Sequence, residues 1–244
     1  MEIIVPQWPA PENVKAFSSC RSDGLSSAEF SSLNLALHVN DDEQLVEKNR
    51  QRLISEQAIP NNPVWLNQTH SNKVVELSSI DPASKPISAD AAIASLPKQV
   101  CTVMTADCLP LLFCNSTGSG VAAVHAGWRG LLNGIIENTI NALSKPEQLM
   151  VWLGPAIGPG EFEVGIEVKA AFIAKNSVFQ QAFRLRPNGK YLADINLLAR
   201  MILVQQGVTK IYGGEHCTVT ENGQFYSYRR DGQTGRMASF IWLE

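Results

Sequence analysis

A thiol and an imidazole follow two neighbouring apolar runs of the sequence. Asp107 and Cys108 come after the run at residues 100–105, and His125 comes directly after the run at 121–124. Functional side chains of α/β proteins are commonly exposed where a strand gives way to a turn. We therefore predict that Cys108 and His125 belong to one active site. A pair of buried structural residues is the alternative, because free cysteine is among the most buried residue types.

A further residue with metal-ligand chemistry is His70, in the polar interruption of a strand-like stretch at residues 63–77. With Cys108 and His125 it would complete a Cys-His-His set. Such a set fits catalytic zinc, which takes three protein ligands and leaves a fourth position for water or substrate. Zinc held in this way makes activated water available at neutral pH. An exposed turn histidine is the alternative interpretation of His70.

Two other chemistries use the same residues. Cys108 could be a nucleophilic thiolate activated by His125, with Asp107 or a backbone carbonyl orienting the imidazole ring. Copper is also an alternative, because a two-histidine, one-cysteine set describes electron-transfer copper sites. The chain has four histidines, too few for a multi-centre copper oxidase of the cupredoxin kind. Residue spacing leaves zinc, thiolate and single-copper chemistry open.

Glycine and arginine residues supply two candidate anion sites. Gly127 allows close backbone approach, and the amides of the helix start that follows it, together with Arg129, could hold phosphate. Arg229, Arg230 and Arg236 bracket a turn near the end of the sequence, which is a second arrangement suited to anions. A simple strand-to-helix bend and a solvated charged turn are the respective alternatives.

Apolar periodicity predicts strands interleaved with a few helices. We predict strands at residues 63–77, 100–105, 109–114, 121–124, 150–153 and 210–212, and a closing β-meander at 217–220, 225–228 and 238–243. Helices are predicted up to residue 57 with Asn40 or Asp41 as cap, from 128 to 143, and at 195–206 with Asp194 as cap. Residues 81–97 are predicted as loop. Residues 154–165 are predicted as a rigid surface loop, and no Gly-Lys-Ser/Thr follows to make a phosphate-cradling P-loop.

Charge and composition favour a small-molecule partner. The 244 residues include 20 Lys+Arg and 23 Asp+Glu, a net charge of −3, scattered without the basic footprint that nucleic acid or anionic membranes require. No targeting segment and no apolar run of roughly 18 residues is present. The five cysteines form no C-x-x-C pair, which argues against a disulfide framework or a zinc ribbon. We expect one soluble cytoplasmic domain with reduced thiols and no obligatory protein partner.

Longer motifs are spread over nearly the whole chain, namely NQTHSNKVV, MTADCLPLLF, AAVHAGWRGLLNG, WLGPAIGP, FYSYRRD and TGRMASFIWL. They resemble the YfiH family of laccase-like proteins. The sequence departs from the family pattern at Ser71, where glycine usually follows the metal histidine, and in the less glycine-rich segment SCRSDG that contains Arg21. The resemblance implies an α+β fold for residues 1–244, a single-domain four-layer α/β/β/α sandwich with mixed β-sheets.

The resemblance also implies a function and its residues. It implies a zinc site at His70, Cys108 and His125. We predict that Cys108 and His125 are catalytic and that Arg21, Asn34, Arg129 and Arg229 contact the substrate or phosphate, since phosphorolysis needs charge-assisted donors near the ribose. The implied activity is phosphorolysis of adenosine, inosine and 5′-methylthioadenosine, with adenosine deamination. Deamination would use the same three ligands, because the H-x-E and P-C-x-x-C signature of cytidine-type deaminases is absent. Copper-dependent polyphenol oxidation and a Cys-His hydrolase or amidase that edits peptidoglycan precursors are the alternatives.

Overall fold

Short strands and helices alternate along the chain in the computed structural model, which describes residues 1–80 and 87–244. The strands are β1 Ile3–Ile4, β2 Val14–Ser19, β3 Val74–Glu76, β4 Ala91–Ala94, β5 Cys101–Thr105, β6 Leu109–Asn115, β7 Val121–Ala126, β8 Leu149–Leu153, β9 Glu163–Val164, β10 Phe183–Leu185, β11 Tyr191–Ala193, β12 Lys210–Gly213 and β13 Met237–Leu243. The α-helices are α1 Glu43–Glu56, α2 Trp128–Asn133, α3 Ile135–Leu143, α4 Ile166–Lys175, α5 Ile195–Gln205 and α6 Tyr228–Asp231. None of these described helices has the length and apolar character needed to cross a bilayer.

The strands form two larger sheets and one small one. The four-stranded sheet has the order β1-β2-β13-β5 and is antiparallel throughout. The six-stranded sheet has the order β12-β8-β6-β7-β4-β3, with parallel pairs at its two edges and antiparallel pairs in its centre. Strands β10, β11 and β9 make a small antiparallel sheet. Mixed sheets are thereby confirmed.

The two larger sheets stack face to face, and helices cover their outer faces. In β6, Leu111 and Phe113 pack among helix residues, whereas Leu112 and Cys114 pack against the four-stranded sheet, as strand alternation requires. The outer layer on the six-stranded sheet comes from α2, α3 and α5, and α1 covers the opposite outer face. The structure therefore confirms the predicted α/β/β/α sandwich.

Most predicted elements are present with shifted ends. Strands predicted at 100–105, 109–114, 121–124, 150–153 and 210–212 are β5, β6, β7, β8 and β12. Helix α5 is capped by Asp194 as predicted, whereas α1 is capped by Asp42, one residue beyond Asp41, because the Asp42 carboxylate accepts two backbone N–H groups. The helix predicted from 128 to 143 is divided at Gly134, whose left-handed φ of 93° ends α2.

Three predictions between residues 63 and 165 need correction. The stretch 63–77 contains one short strand, β3, and isolated bridges at Val64 and Asn67, because residues 69–71 turn around the Asp90 side chain. The predicted loop 81–97 contains β4, while its residues 81–86 lie outside the described part of the chain. The loop at 154–165 begins inside the protein, with Ala156 fully buried in the apolar core.

Of the predicted C-terminal β-meander, the strand at 238–243 is confirmed as β13, whereas the strands predicted at 217–220 and 225–228 are wrong. Residues 217–227 form turns and irregular structure, the short helix α6 follows, and β13 pairs with β2 and β5. The Arg230 guanidinium donates to the carbonyl oxygens of Thr218, Val219 and Phe225 at 2.8–3.0 Å. These backbone acceptors are therefore satisfied by one side chain and need no neighbouring strand.

Candidate metal centre and substrate cavity

Strand register brings Cys108 and His125 together. In the antiparallel β6–β7 pair, Leu109 lies opposite Ala126 and Pro110 opposite His125. Cys108, the residue before β6, therefore lies beside the residues that end β7. Strand β4 pairs with β7 on the other side, and the register Ala91 to Val124 places Asp90 across from His125, whose N–H donates to the Asp90 carbonyl oxygen at 2.7 Å. The predicted Cys108–His125 pair is thus a consequence of sheet pairing.

His70 completes a three-ligand group with Cys108 and His125. One ligand atom from each residue lies within 4.8 Å of the others, and the Cys108 Sγ to His70 Nε2 distance is 3.8 Å. The two imidazole rings meet edge to face with 4.8 Å between centroids. One sulfur and two imidazole nitrogens are donors that suit zinc or copper, and three protein ligands leave a coordination position for a small molecule. The group therefore fits a metal ion.

Asp90 ties the two histidines to one buried carboxylate. Its Oδ1 lies 2.8 Å from His125 Nδ1 and accepts the His70 N–H at 3.0 Å. Its Oδ2 accepts the N–H groups of Thr69 and Ser71 and the Ser71 hydroxyl. A carboxylate on Nδ1 leaves the His125 Nε2 available as the metal ligand. Sequence reasoning missed Asp90, and the short apolar segment DAAIA was the signal that a strand began there.

The three candidate ligands and Asp90 perturb one another's ionisation. Burial raises the pKa of the Cys108 thiol, but the imidazoles of His125 and His70 outweigh burial and bring this pKa to about 6. Burial lowers the pKa of His125, but Cys108 and Asp90 outweigh it and raise this pKa to about 9. Burial also raises the pKa of Asp90, yet hydrogen bonds from His125 and Ser71 lower it to about 2. The site therefore offers a thiolate ligand at neutral pH.

Gly127 lets the chain pass close to the ligands. A Cβ at this position would lie 2.9 Å from His70 Cδ2 and 3.1 Å from Cys108 Sγ. Its φ of −67° is ordinary, so close approach rather than backbone conformation requires glycine here. The groups that approach the Gly127 backbone closely are the side chains of His70 and Cys108.

The ligands line a cavity of about 590 Å³, within the range of about 300–1,000 Å³ typical of small-molecule sites. Its apolar wall contains three aromatic side chains suited to stacking on a flat ring, Trp128, Phe162 and Tyr228. Its polar lining, besides the candidate ligands, includes His38, Gln68, Thr105, Asp107, Arg129, Arg229 and Arg236. The cavity thus combines a metal-binding group, aromatic surface and positive charge.

Two of the four predicted substrate residues line this cavity, Arg129 and Arg229. Arg21 is directed elsewhere, because its guanidinium donates to the carbonyl oxygens of Ser31 and Asn222. Asn34 is fully buried, and its amide bonds Ala36, Asp41 and the backbone of Arg236. The structure therefore places Arg21 and Asn34 in supporting contacts outside the cavity lining.

Asp107 has a different position from the one predicted. The His125 Nδ1 atom is hydrogen-bonded to Asp90, not to Asp107. The Asp107 carboxylate instead accepts hydrogen bonds from the Thr218 hydroxyl and the Arg229 N–H, both at 2.6 Å. Its φ of 90° is unusual for a residue other than glycine, and these two hydrogen bonds hold the turn. Asp107 therefore joins the turn before Cys108 to the C-terminal loops and does not orient the imidazole.

A family model, related sequences and a solved structure all match this chain over nearly its full length. Residues 15–244 match the family model described as multi-copper polyphenol oxidoreductase laccase. The chain is similar to "Purine nucleoside phosphorylase YfiH" of Shigella flexneri, with 53% identity over 99% of both chains, and to the Escherichia coli K12 protein of the same name, with 52% identity over 99% of both. The crystal structure of protein NMB0706 from Neisseria meningitidis has a TM-score of 0.95 and 46% identity over 100% of both chains.

Proposed function

The chain belongs to the YfiH family, whose family model is described as multi-copper polyphenol oxidoreductase laccase, and on that premise we propose that it is a zinc-dependent purine nucleoside phosphorylase. Its substrates would be adenosine, inosine and 5′-methylthioadenosine, converted with phosphate to the free base and a ribose 1-phosphate. Adenosine deamination would be a second activity of the same cavity. Four relatives that match over nearly the full chain are named purine nucleoside phosphorylases, which supports an enzymatic function for this chain.

The observation that carries this proposal is the convergence of three ligand atoms within 4.8 Å at the wall of a cavity that also contains arginine. Phosphorolysis needs a phosphate near the anomeric carbon and a firmly held purine. Arg129 and Arg229 supply charge-assisted donors for an anion, and Trp128 and Phe162 supply aromatic surface for the base.

Zinc fits the ligands better than a copper cluster does. His70, Cys108 and His125 would hold one ion, and they are the one group of three or more metal-ligand side chains found within residues 1–80 and 87–244. A multi-copper centre needs more ligands than this group provides. Zinc supplies a Lewis acid that polarises an oxygen or activates water. Asp90 would keep the His125 tautomer fixed, and the aromatic wall would exclude bulk water from the base.

The experiment is a nucleoside panel with purified, metal-analysed protein, in which free base is separated by chromatography with and without phosphate. Stoichiometric zinc and phosphate-dependent base release from the wild type are expected. Cys108→Ser and His125→Gln should lose both metal and turnover, whereas the matched controls Cys217→Ser and His216→Gln, whose residues belong to no group of three ligands, should keep both. Full turnover in Cys108→Ser would refute the metal role.

A thiol nucleophile is a second candidate function, favoured by the pKa of about 6 for Cys108 beside a protonated His125. In that case the protein would be a Cys-His hydrolase or amidase, with peptidoglycan precursors as the proposed substrate class. A covalent mass shift on Cys108 during turnover of a peptidoglycan precursor would support it. Turnover that needs zinc and leaves Cys108 unmodified would exclude it.

Two broader expectations accompany the proposal. The five cysteines of the chain form no disulfide, which supports a reducing location such as the cytoplasm. We also propose that residues 1–244 act as one domain, since the family match extends over residues 15–244.

A further inference from the structure

Arg236 reaches the cavity from the four-stranded sheet. The first pair of the β13–β5 register is Met237 with Thr105, so Arg236 lies where the chain after β5 turns towards Cys108. It lines the same cavity as Cys108. The sequence shows Arg236 only as one of three arginines at a turn, whereas the sheet register gives it a place beside the metal ligands.

The position of Arg236 is fixed by several hydrogen bonds. Its N–H donates to Asn34 Oδ1 at 3.0 Å, and its carbonyl oxygen accepts the Leu35 N–H at 3.3 Å. Its Nη1 donates to the carbonyl oxygens of Thr234 and Gly235 at 2.7 and 3.0 Å. A guanidinium held in this way loses little freedom when it binds a ligand.

Two donor positions of this guanidinium remain for a ligand. Within the described residues, Nε and Nη2 of Arg236 make no hydrogen bond, and the side chain has no carboxylate within ion-pair distance. Asp107 is the carboxylate in the cavity lining, and its two oxygens already accept from Thr218 and Arg229. A part-buried guanidinium with two parallel free donors suits an oxyanion.

The other two arginines of the cavity are more exposed to solvent than Arg236, which weakens their hold on an anion. Arg229 is exposed, and its Nη1 donates to the carbonyl oxygens of Glu161 and Glu163. Arg129 is exposed and lies over the Trp128 ring. Arg236 is the least exposed of the three, and its backbone and side chain are both held by hydrogen bonds.

We propose that Arg236 anchors phosphate in the cavity, with Nε and Nη2 donating to two oxygens of one phosphate anion. This assignment rests on the proposed phosphorolysis and names the residue that holds its second substrate. Asn34 then acts as a positioning residue for Arg236. Inorganic phosphate and the phosphate group of a nucleotide share this chemistry. The ligand assigned to Arg236 is inorganic phosphate, the second substrate of phosphorolysis.

Isothermal titration calorimetry of inorganic phosphate into the zinc-loaded protein, without nucleoside, tests the assignment. The wild type should bind phosphate, and Arg236→Gln should bind it at least about tenfold more weakly, as loss of a charge-assisted hydrogen bond predicts. Arg236→Lys should be intermediate, because it keeps the charge and loses the fork. Arg184→Gln, the same change at an exposed arginine outside this cavity, should bind like the wild type.

The outcomes separate this inference from the proposed function. Phosphate binding that needs Arg236 in a protein that releases no base would support the anion site and refute phosphorolysis. Phosphorolysis with an unchanged KM for phosphate in Arg236→Gln would refute the anion site and leave the function standing. If Arg236→Gln does not fold, the phosphate KM of Arg236→Lys decides, and wild-type affinity there refutes the proposal. Arg236-dependent binding of adenosine monophosphate with no binding of inorganic phosphate would also overturn it.

Discussion

Asp90 connects the two candidate histidine ligands, His70 and His125, through one carboxylate, so the orientation of the His125 ring and the turn that carries His70 depend on the same side chain. Asp90 is fully buried and accepts from both residues. A carboxylate behind a metal-bound imidazole fixes its tautomer and raises its basicity. On the proposed metal role, we expect Asp90 to position the candidate ligands, so that its loss is seen first in metal affinity.

Asp90→Asn should weaken zinc binding by about 10–100-fold, because the amide nitrogen cannot accept the hydrogen bonds that one carboxylate oxygen accepts. Competition with a chromophoric chelator measures this affinity. Ser71→Gly is the matched control, since it removes one hydroxyl donor from Asp90 and leaves the carboxylate in place. Equal zinc affinity in Asp90→Asn and the wild type would show that Asp90 does not position the ligands.

Cys108 should react as a thiolate well below the pH at which ordinary thiols do. In chelator-treated protein the rate of iodoacetamide alkylation at Cys108 should be half-maximal near pH 6, because a lowered pKa keeps the thiolate present above that pH and removes it as the pH falls further. Mass spectrometry of the labelled peptide measures the rate, with Cys108→Ser as the blank. A midpoint above pH 8 would contradict the charge pairing with His125.

At the scale of elements, the site forms where strands of the six-stranded sheet end together. Cys108 directly precedes β6, His125 is the penultimate residue of β7, and Asp90 directly precedes β4. The chain then bends at Gly127 into α2. The geometry of the ligands is thus set by hairpin register and by one close approach, and a change in either should disturb the metal.

Gly127→Ala should lower metal content and activity while the fold is kept. The added Cβ would meet His70 Cδ2 at 2.9 Å and Cys108 Sγ at 3.1 Å, so the ligand side chains must shift. Gly160→Ala is the control, because a Cβ there has no neighbour within 4 Å. Metal analysis and a melting curve measure the two effects. Full zinc content in Gly127→Ala would show that the ligand positions tolerate the shift.

The sequence allowed the main strands and the Cys108–His125 pair to be predicted, because buried strands leave continuous apolar runs with polar residues at their ends. It did not reveal Asp90, since the short strand that follows it has a weak apolar signal beside a long polar stretch. The false meander has a different cause. Alternating residues at 225–228 resemble a strand, and only the structure shows that Arg230 satisfies the backbone there.

At the scale of the whole molecule, the cavity is enclosed by parts of the chain that are distant in sequence. The turn before Cys108 passes from the four-stranded to the six-stranded sheet, and Asp107 in that turn holds the C-terminal loops through Thr218 and Arg229. Because these side chains join both sheets to the C-terminal loops, the shape of the cavity depends on the packing of the whole fold.

Thr218→Val should destabilise the protein by about 1–3 kcal/mol, because the buried Asp107 carboxylate loses one of its two partners. For a chain of this size each kcal/mol lowers Tm by about 2–4 °C. Calorimetric melting measures the shift. Thr209→Val, at an exposed threonine, should melt like the wild type. An unchanged Tm for Thr218→Val would mean that the Asp107 contact contributes little to holding the loops.

The central claim, that this protein transfers the ribosyl group of purine nucleosides to phosphate, is tested most directly by ³¹P NMR of zinc-loaded protein with inosine or adenosine and inorganic phosphate. The account predicts that inorganic phosphate is converted to ribose 1-phosphate in the same amount as free base is released, and that Cys108→Ser abolishes both. Release of base with free ribose at a rate independent of phosphate, or no release from any nucleoside, would contradict it.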